Sequence, residues 1–198
     1  MRPEPVSEAA DRRAAIFLEG ITYLRAILVP VIMWLVLDER SWASDVGGWL
    51  FAFAAITDFF DGYLARRWKR VTVLGNFLDT TADKLLVSGV LVALVAVGRA
   101  SPWIAFIIVG RELLILGLRG VVAAGGEVMK PSIWGKLKAN VQFIAIFLAI
   151  VRWGDPIGDL YLDQWAMLAA AIVTIGSGFE YLKRFAGAIP RSARAAKK

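Results

Sequence analysis

The sequence contains no cysteine and no histidine. Without cysteine, disulfide bonds and thiolate metal sites are excluded. Without histidine, the chain lacks both the side chain that most often acts as a base near neutral pH and the commonest zinc ligand. Any metal binding or base catalysis in this protein is therefore expected to use carboxylates.

Charged residues are also scarce, because Asp, Glu, Lys and Arg make up 20% of the 198 residues whereas 58% are hydrophobic. That apolar share exceeds the share in an ordinary soluble domain. Eight Trp, eleven Phe and four Tyr suit a bilayer, where aromatic rings collect at the interfaces. The composition predicts a single membrane-embedded domain.

About twenty mostly apolar residues are needed to cross the hydrocarbon core of a bilayer. Six such segments occur, and their short connections predict an all-α, polytopic membrane protein with six transmembrane helices, neighbouring helices being antiparallel. The predicted spans are Ile21–Leu37, Gly47–Arg66, Leu74–Val97, Pro102–Ala124, Trp134–Val151 and Gln164–Phe185.

The two ends of the chain differ from this apolar middle. Residues 1–20 are predicted to be a cytoplasmic segment in which Val6–Ile16 forms a short amphipathic helix on the membrane surface. The segment lacks the apolar core of a signal peptide, so a cleaved leader is not expected. The six-helix domain covers 21–187, and the basic tail 188–198 is predicted to be disordered.

The distribution of Lys and Arg predicts the orientation in the cell membrane. Sixteen of these residues fall on one side, whereas Arg40, Arg99 and Arg152 fall on the other, so both termini are predicted to be cytoplasmic. The net charge of +6 is assigned to an anionic membrane surface and phosphate substrates, not to nucleic acid, because the basic residues flank apolar runs. The sixteen are Arg2, Arg12, Arg13, Arg66, Arg67, Lys69, Arg70, Lys130, Lys136, Lys138, Lys183, Arg184, Arg191, Arg194, Lys197 and Lys198.

Four carboxylates interrupt the second and third spans. Asp58 and Asp61 lie in ITDFFDGYLARR, and Asp79 and Asp83 lie in LGNFLDTTADK. Spacings of three and four residues place each pair on one helix face. Because a tight basic loop joins the two helices, the four side chains are predicted to converge somewhat below the cytoplasmic surface.

A carboxylate near the membrane centre costs about 2.5–3.5 kcal/mol on the most lenient scale. Several carboxylates in one place require protons or cations to neutralise them. Oxygen ligands favour Mg²⁺, Mn²⁺ or Ca²⁺, and four carboxylates suit two ions. Two other interpretations stay open. The acids can form salt bridges with Arg25, Lys84 or Arg111, or they can form a site that transports protons or cations.

The residues around these carboxylates form a signature. The pattern D-x-x-D-G-x-x-A-R-x8-G-x3-D-x3-D is matched at all eight fixed positions, which are Asp58, Asp61, Gly62, Ala65, Arg66, Gly75, Asp79 and Asp83. It resembles the signature of the CDP-alcohol phosphotransferases. The resemblance implies a six-helix fold with a cytoplasm-facing polar cavity, a homodimer, and transfer of a lipid phosphate from a CDP-activated lipid to an alcohol.

The resemblance also implies roles for individual residues. Asp58, Asp61 and Asp79 would ligate Mg²⁺ or Mn²⁺ as two ions, and Asp83 would be the general base that also touches the second metal. The residues implied to bind the CDP-lipid are Gly62, Ala65, Arg66, Thr72 and Gly75. The small residues of this set can instead serve helix packing, and Arg66 can instead extend to the membrane surface.

The segments GRELLILGLRG and SIWGKLKANVQF resemble patterns of the bacterial phosphatidylglycerophosphate synthases. This similarity implies CDP-diacylglycerol as donor and sn-glycerol 3-phosphate as acceptor. Cations that would bind the acceptor phosphate are Arg111, Arg119, Lys136 and Lys138. In the second of these patterns, G-K-x-K-T-x-x-Q, the expected Thr is Ala139 here. The first-helix pattern of these enzymes, N-x-P-N-x-L-T-x-x-R, corresponds to residues 16–25, which keep only Thr22 and Arg25 of its polar positions. Inositol phosphate, phosphatidylglycerol (as in a cardiolipin synthase) or an amino alcohol are the alternative acceptors.

Overall fold

The computed structural model of the protein describes residues 6–38, 40–67, 73–124 and 132–195, with side chains described for residues 20, 23–38, 40–57, 80–124 and 132–186. The described residues form six α-helices and no β-strand, apart from one isolated β-bridge between Ile157 and Leu160. The predicted all-α class is therefore confirmed. The helices are α1 (Val6–Leu37), α2 (Ser41–Arg67), α3 (Val73–Ala96), α4 (Pro102–Ala124), α5 (Ile133–Val151) and α6 (Leu162–Ala195).

The structure differs from the prediction at both ends of the chain. α1 begins at Val6 and continues to Leu37, so the predicted surface helix and the predicted first span belong to one helix. α6 continues to Ala195 and so extends into the tail that was predicted to be disordered. Extending a helix that already exists costs no nucleation, and the alanines near both ends have the highest helix propensity.

Within the described residues, two helical segments are long and apolar enough to cross a bilayer: Ile133–Val151, and Leu162–Ala186 of α6. A shorter apolar segment of α1 covers Tyr23–Leu37. α4 has 23 residues, but three charged residues, at positions 111, 112 and 119, interrupt its apolar sequence. The six-span arrangement stays a prediction.

Residues 1–93 form one compact unit that contains α1, α2 and most of α3. In this unit α1 packs against α2. α3 approaches α1 closely at Gly89, where an added Cβ would lie 2.8 Å from Val29 Cγ1 and 3.0 Å from Met33 Sδ. The lack of a side chain at Gly89 therefore lets the two helices pack at short distance. The buried apolar residues of the unit include Ile32, Leu35, Phe51, Ala54, Leu86, Val90 and Leu91.

Residues 94–198 form a second compact unit that contains α4, α5 and α6. α6 packs against both α4 and α5. Ser132 caps the start of α5, because its hydroxyl accepts a hydrogen bond from the backbone N–H of Trp134 at 3.1 Å. The buried apolar residues of the unit include Ile108, Ile115, Ala145, Ile146, Ala149, Ile150, Met167, Ala170 and Ala171.

Both units carry large apolar side chains on their surfaces. Phe106 and Ile172 are 71% and 70% exposed, and Trp103 reaches 77%. The surfaces of soluble monomers rarely carry extended apolar patches. Large side chains outside and alanines in the helix contacts are typical of helices that pack in a lipid environment.

The three arginines predicted to lie on the non-cytoplasmic side all have protein partners. Arg40 pairs with Asp38 at 2.6 Å, and this hydrogen bonding holds the pKa of the Asp38 carboxyl below its usual range. Arg152 pairs with Asp163 at 3.1 Å. Arg99 donates to the carbonyl oxygen of residue 150 in the last turn of α5, and burial lowers the pKa of its guanidinium. These contacts fix the loops next to the helix ends.

Candidate active site

The acidic signature lies on two helices of the N-terminal unit. Asp58 and Asp61 are in the C-terminal part of α2, and Asp79 and Asp83 are in the first half of α3. Both segments are helical, so residues three or four positions apart lie on the same helix face, as the prediction for each pair of aspartates requires. The side chains of Asp58, Asp61 and Asp79 lie outside the described residues, so the convergence of the four carboxylates stays a prediction.

The residues implied to bind the CDP-lipid also lie largely outside the described part of the chain. Gly62, Ala65 and Arg66 belong to α2 and Gly75 belongs to α3, but only their helical backbone is described. Thr72 lies in the stretch 68–72, which is outside the described residues altogether. The predicted roles of these five residues are unchanged by the structure.

Asp83 is the one signature carboxylate whose side chain is described. It is partly buried, and its Oδ2 lies 2.5 Å from the Nζ of Lys84. This contact is one of the salt bridges that the alternative interpretation of the acids expects. The pair joins adjacent residues and both side chains are about a quarter exposed, and such pairs contribute little to stability. Among the residues whose side chains are described, no group of three or more acidic side chains forms a metal site.

A buried cation also lies in the N-terminal unit. Arg25 on α1 is 1% exposed and is the largest fully buried side chain among those described. A guanidinium removed from water requires charged or hydrogen-bonding partners, because its desolvation is otherwise very costly. Arg25 is one of the two positions that keep the first-helix pattern of the similar enzymes.

Two of the four predicted phosphate-binding cations meet at one carboxylate in the C-terminal unit. Lys138 on α5 donates a hydrogen bond to Glu112 Oε1 on α4. Arg111 Nη1 lies 3.3 Å from the same oxygen. Glu112 and Lys138 are each 4% exposed. Two positive charges and one negative charge are therefore held together between α4 and α5, away from solvent.

Residues of α6 complete the surroundings of Arg111. Its Nη2 donates a hydrogen bond to Ser177 Oγ at 2.7 Å, and its Cζ lies 5.3 Å from the centre of the Tyr181 ring. Gly178 leaves room for the arginine stem, since a Cβ added there would lie 3.5 Å from Arg111 Cγ. The Nε of Arg111 is buried and has no hydrogen-bond partner among the described residues.

The other two predicted cations, Arg119 and Lys136, are exposed. The structure therefore separates the predicted set into two residues at Glu112, of which Lys138 is buried and Arg111 is partly buried, and two exposed residues. The role of all four residues in binding an acceptor stays a prediction.

Sequence reasoning did not identify the contributions of α6. Gln142 on α5 donates a hydrogen bond to Thr174 on α6 at 2.8 Å, and both side chains are buried. Thr174, Ser177 and Tyr181 recur at spacings of three and four residues on α6. Such spacing puts polar groups on one helix face and is the signal that could have identified them.

A groove of about 390 Å³ lies at the surface of α5 and α6. It is lined by Ile133, Trp134, Leu137, Glu180 and Arg184, and contains none of the predicted site residues. Glu180 accepts a hydrogen bond from Ser132 and pairs with Arg184 at 2.6 Å, so its charge is already compensated by the protein.

Comparison with known proteins agrees with the signature. Residues 19–176 match the model of the CDP-alcohol phosphatidyltransferase family. Three relatives carry the name CDP-diacylglycerol–glycerol-3-phosphate 3-phosphatidyltransferase, and each is 36% identical to this chain. The Bacillus subtilis relative aligns over 83% of this chain and 92% of its own length, and the Rickettsia typhi relative over 82% and 93%. The Salmonella choleraesuis relative aligns over 84% and 93%.

The family match covers more than three quarters of the chain, including α2, α3, α4 and α5 in full. It includes both the acidic signature and the two cations that contact Glu112. The chain therefore belongs to the CDP-alcohol phosphatidyltransferase family.

Proposed function

We propose that this protein transfers the phosphatidyl group of CDP-diacylglycerol to sn-glycerol 3-phosphate, giving phosphatidylglycerophosphate and CMP. The observation that carries the proposal is the agreement of two independent features. The eight signature positions of the family are intact, and relatives that align over more than four fifths of the chain are named for this reaction. The protein is thus a transferase of phospholipid biosynthesis.

The acidic residues fit a divalent metal centre by the chemistry of their donor atoms. Asp58, Asp61, Asp79 and Asp83 offer only carboxylate oxygens, and the chain has no histidine or cysteine to compete. Hard ions such as Mg²⁺ and Mn²⁺ prefer such ligands. We infer that these four residues hold two ions, which when bound neutralise the donor diphosphate and the charge that develops on departing CMP.

Asp83 accepts the proton of the acceptor hydroxyl. The hydroxyl oxygen then forms a bond to the lipid-side phosphorus of the donor, and the bond between that phosphorus and the oxygen of CMP breaks. A carboxylate is the natural base here, because the chain has no histidine. Gly62, Ala65, Arg66, Thr72 and Gly75 bind the CDP-lipid in this proposal.

The acceptor is a phosphate monoester, so its binding requires cations. Lys138 is buried and Arg111 is partly buried beside Glu112, where their charges act in a medium of lower dielectric than water. Arg119 and Lys136 are exposed and attract the dianion from water. These four cations support an acceptor that carries phosphate over an amino alcohol, whose ammonium group they would repel.

The proposal places the protein in the cell membrane as a homodimer with six spans, a cytoplasm-facing polar cavity and both termini in the cytoplasm. The residues 1–20 precede the membrane domain 21–187. The exposed Phe and Trp side chains of both units support lipid contact, and the bias of Lys and Arg supports the orientation.

The experiment that tests the function is an acceptor panel. Purified full-length protein is incubated with CDP-diacylglycerol, Mg²⁺ and one candidate acceptor, and released CMP is measured. We expect CMP with sn-glycerol 3-phosphate, and none with inositol phosphate, phosphatidylglycerol or an amino alcohol. CMP release with another acceptor alone would reject the acceptor, and cation flux in liposomes without any CMP release would reject the enzyme.

A further inference from the structure

The contacts of Glu112 suggest a role beyond balancing charge. Its carboxylate lies at the centre of the buried cluster, with Lys138 from the neighbouring helix on one side and Arg111 from its own helix on the other. Arg111 is further fixed by Ser177 and by the Tyr181 ring. A long flexible side chain held by three partners has lost most of its rotamer freedom before any ligand arrives.

The cluster has capacity for an additional anion. The Nε of Arg111 is buried and not hydrogen-bonded within the described residues, although its neighbouring nitrogens are. A buried donor without an acceptor is unusual in folded proteins. An oxygen atom of a bound anion would accept a hydrogen bond from this nitrogen.

We propose that Glu112 is a positioning residue, which holds Arg111 and Lys138 in the arrangement that receives the phosphate of the acceptor. This inference rests on the proposed function and names the residue that organises its acceptor site. Glu112 does not touch the reacting atoms. The negative charge of its carboxylate offsets the repulsion between the two cations and keeps them close together. Both can then donate hydrogen bonds to the same phosphate group.

The test compares Glu112→Gln with the wild type as full-length proteins. Glutamine keeps the size of the side chain and removes its charge. We expect the KM for sn-glycerol 3-phosphate to rise about tenfold, the effect of losing roughly one charge-assisted hydrogen bond. The KM for CDP-diacylglycerol is expected to stay within a factor of about two, since the donor residues are elsewhere in the chain.

A second readout does not require turnover. Addition of sn-glycerol 3-phosphate should raise the thermal midpoint of the wild type and raise that of Glu112→Gln much less, because binding to the folded state stabilises it. Glu180→Gln is the matched control. Glu180 also contacts a serine and an arginine in the same unit, and its replacement should leave both KM values unchanged.

The outcomes separate the two proposals. If the wild type releases no CMP with sn-glycerol 3-phosphate, the proposed function fails and the role of Glu112 fails with it. If the wild type is active and Glu112→Gln leaves its KM unchanged, lowers it, or shifts both KM values together, the positioning role alone is overturned. If Glu112→Gln does not fold, Glu112→Asp decides: it keeps the charge but shortens the side chain by one methylene, which should displace the two cations and raise only the KM for the acceptor, and an unchanged KM would overturn the role.

Discussion

Lys138 on α5 donates a hydrogen bond to Glu112 on α4, and both side chains lie away from solvent within the C-terminal unit. The ion pair joins two helices that are otherwise apolar over most of their length. An ammonium group is stable in such surroundings when its charge is compensated and its protons are hydrogen-bonded. The same contact keeps a cation available beside Arg111 without exposing it to water.

The difference between Lys138 and Lys136 gives the first prediction. Lys138→Met removes a buried cation and one partner of Glu112, so we expect a rise in the KM for sn-glycerol 3-phosphate of about tenfold or more and a loss of about 1–3 kcal/mol in stability. Steady-state kinetics and thermal denaturation in detergent measure the two effects. Lys136→Met, at an exposed position two residues away, is the control and should change both quantities much less. An equal effect of the two substitutions would show that burial does not distinguish these lysines.

The role of Asp83 gives the second prediction. Asp83→Asn keeps the shape of the side chain but removes the proton acceptor, so turnover should fall at least a hundredfold while CDP-diacylglycerol still binds. CMP release measures turnover, and calorimetry measures donor binding. Asp45→Asn, an exposed carboxylate on α2, should behave as the wild type. Normal CMP release by Asp83→Asn would exclude Asp83 as the base.

The metal ligands give the third prediction. Asp58→Ala and Asp79→Ala each remove a carboxylate that we assign to the metal centre, so both variants should lose metal-dependent binding of CDP-diacylglycerol. Calorimetry with and without a chelator measures this dependence. The wild type should lose donor binding when the metal is removed and regain it when Mg²⁺ is added. If the variants bind the donor with unaltered dependence on Mg²⁺, the carboxylates have another function.

The close approach of α3 to α1 gives the fourth prediction. In Gly89→Ala the new Cβ would lie 2.8 Å from Val29 Cγ1, so either the Val29 side chain or the helices must shift, at a cost of about 1–3 kcal/mol. Gly176→Ala is the matched control, because no atom lies within 4 Å of the added Cβ and alanine favours the helix by about 0.5–1 kcal/mol. The thermal midpoint should fall for the first variant and stay constant or rise for the second. A midpoint that is unaffected in Gly89→Ala would contradict the observed packing.

Much of the fold could be predicted from the apolar pattern of the sequence. α4 begins at Pro102 as predicted, because proline is favoured in the first turn and its sequence before the charged residues is continuously apolar. The continuity of Val6–Ile16 with the first span, and the extension of α6 to Ala195, could not be predicted. Their polar sequences carry no apolar period, and their helical state depends on continuation from an apolar helix.

The candidate site was also predictable in part from the apolar pattern, because charged residues that interrupt it are conspicuous. Arg111 and Glu112 interrupt an otherwise apolar sequence, and charged residues in such a position require partners. The contacts of Arg111 with Ser177 and Tyr181 arise from the packing of α6 against α4. The two partners follow Arg111 in the sequence by 66 and 70 positions. Local sequence does not specify which helices meet, so these contacts required the structure.

The central claim is that one enzyme couples release of CMP to formation of phosphatidylglycerophosphate. The most direct measurement is the yield of both products from wild-type protein supplied with CDP-diacylglycerol, sn-glycerol 3-phosphate and Mg²⁺, with the lipid identified by mass spectrometry. Equal amounts of the two products, and neither product in the presence of a chelator, are predicted. CMP released without the lipid product, or a different phospholipid formed in its place, would contradict the account.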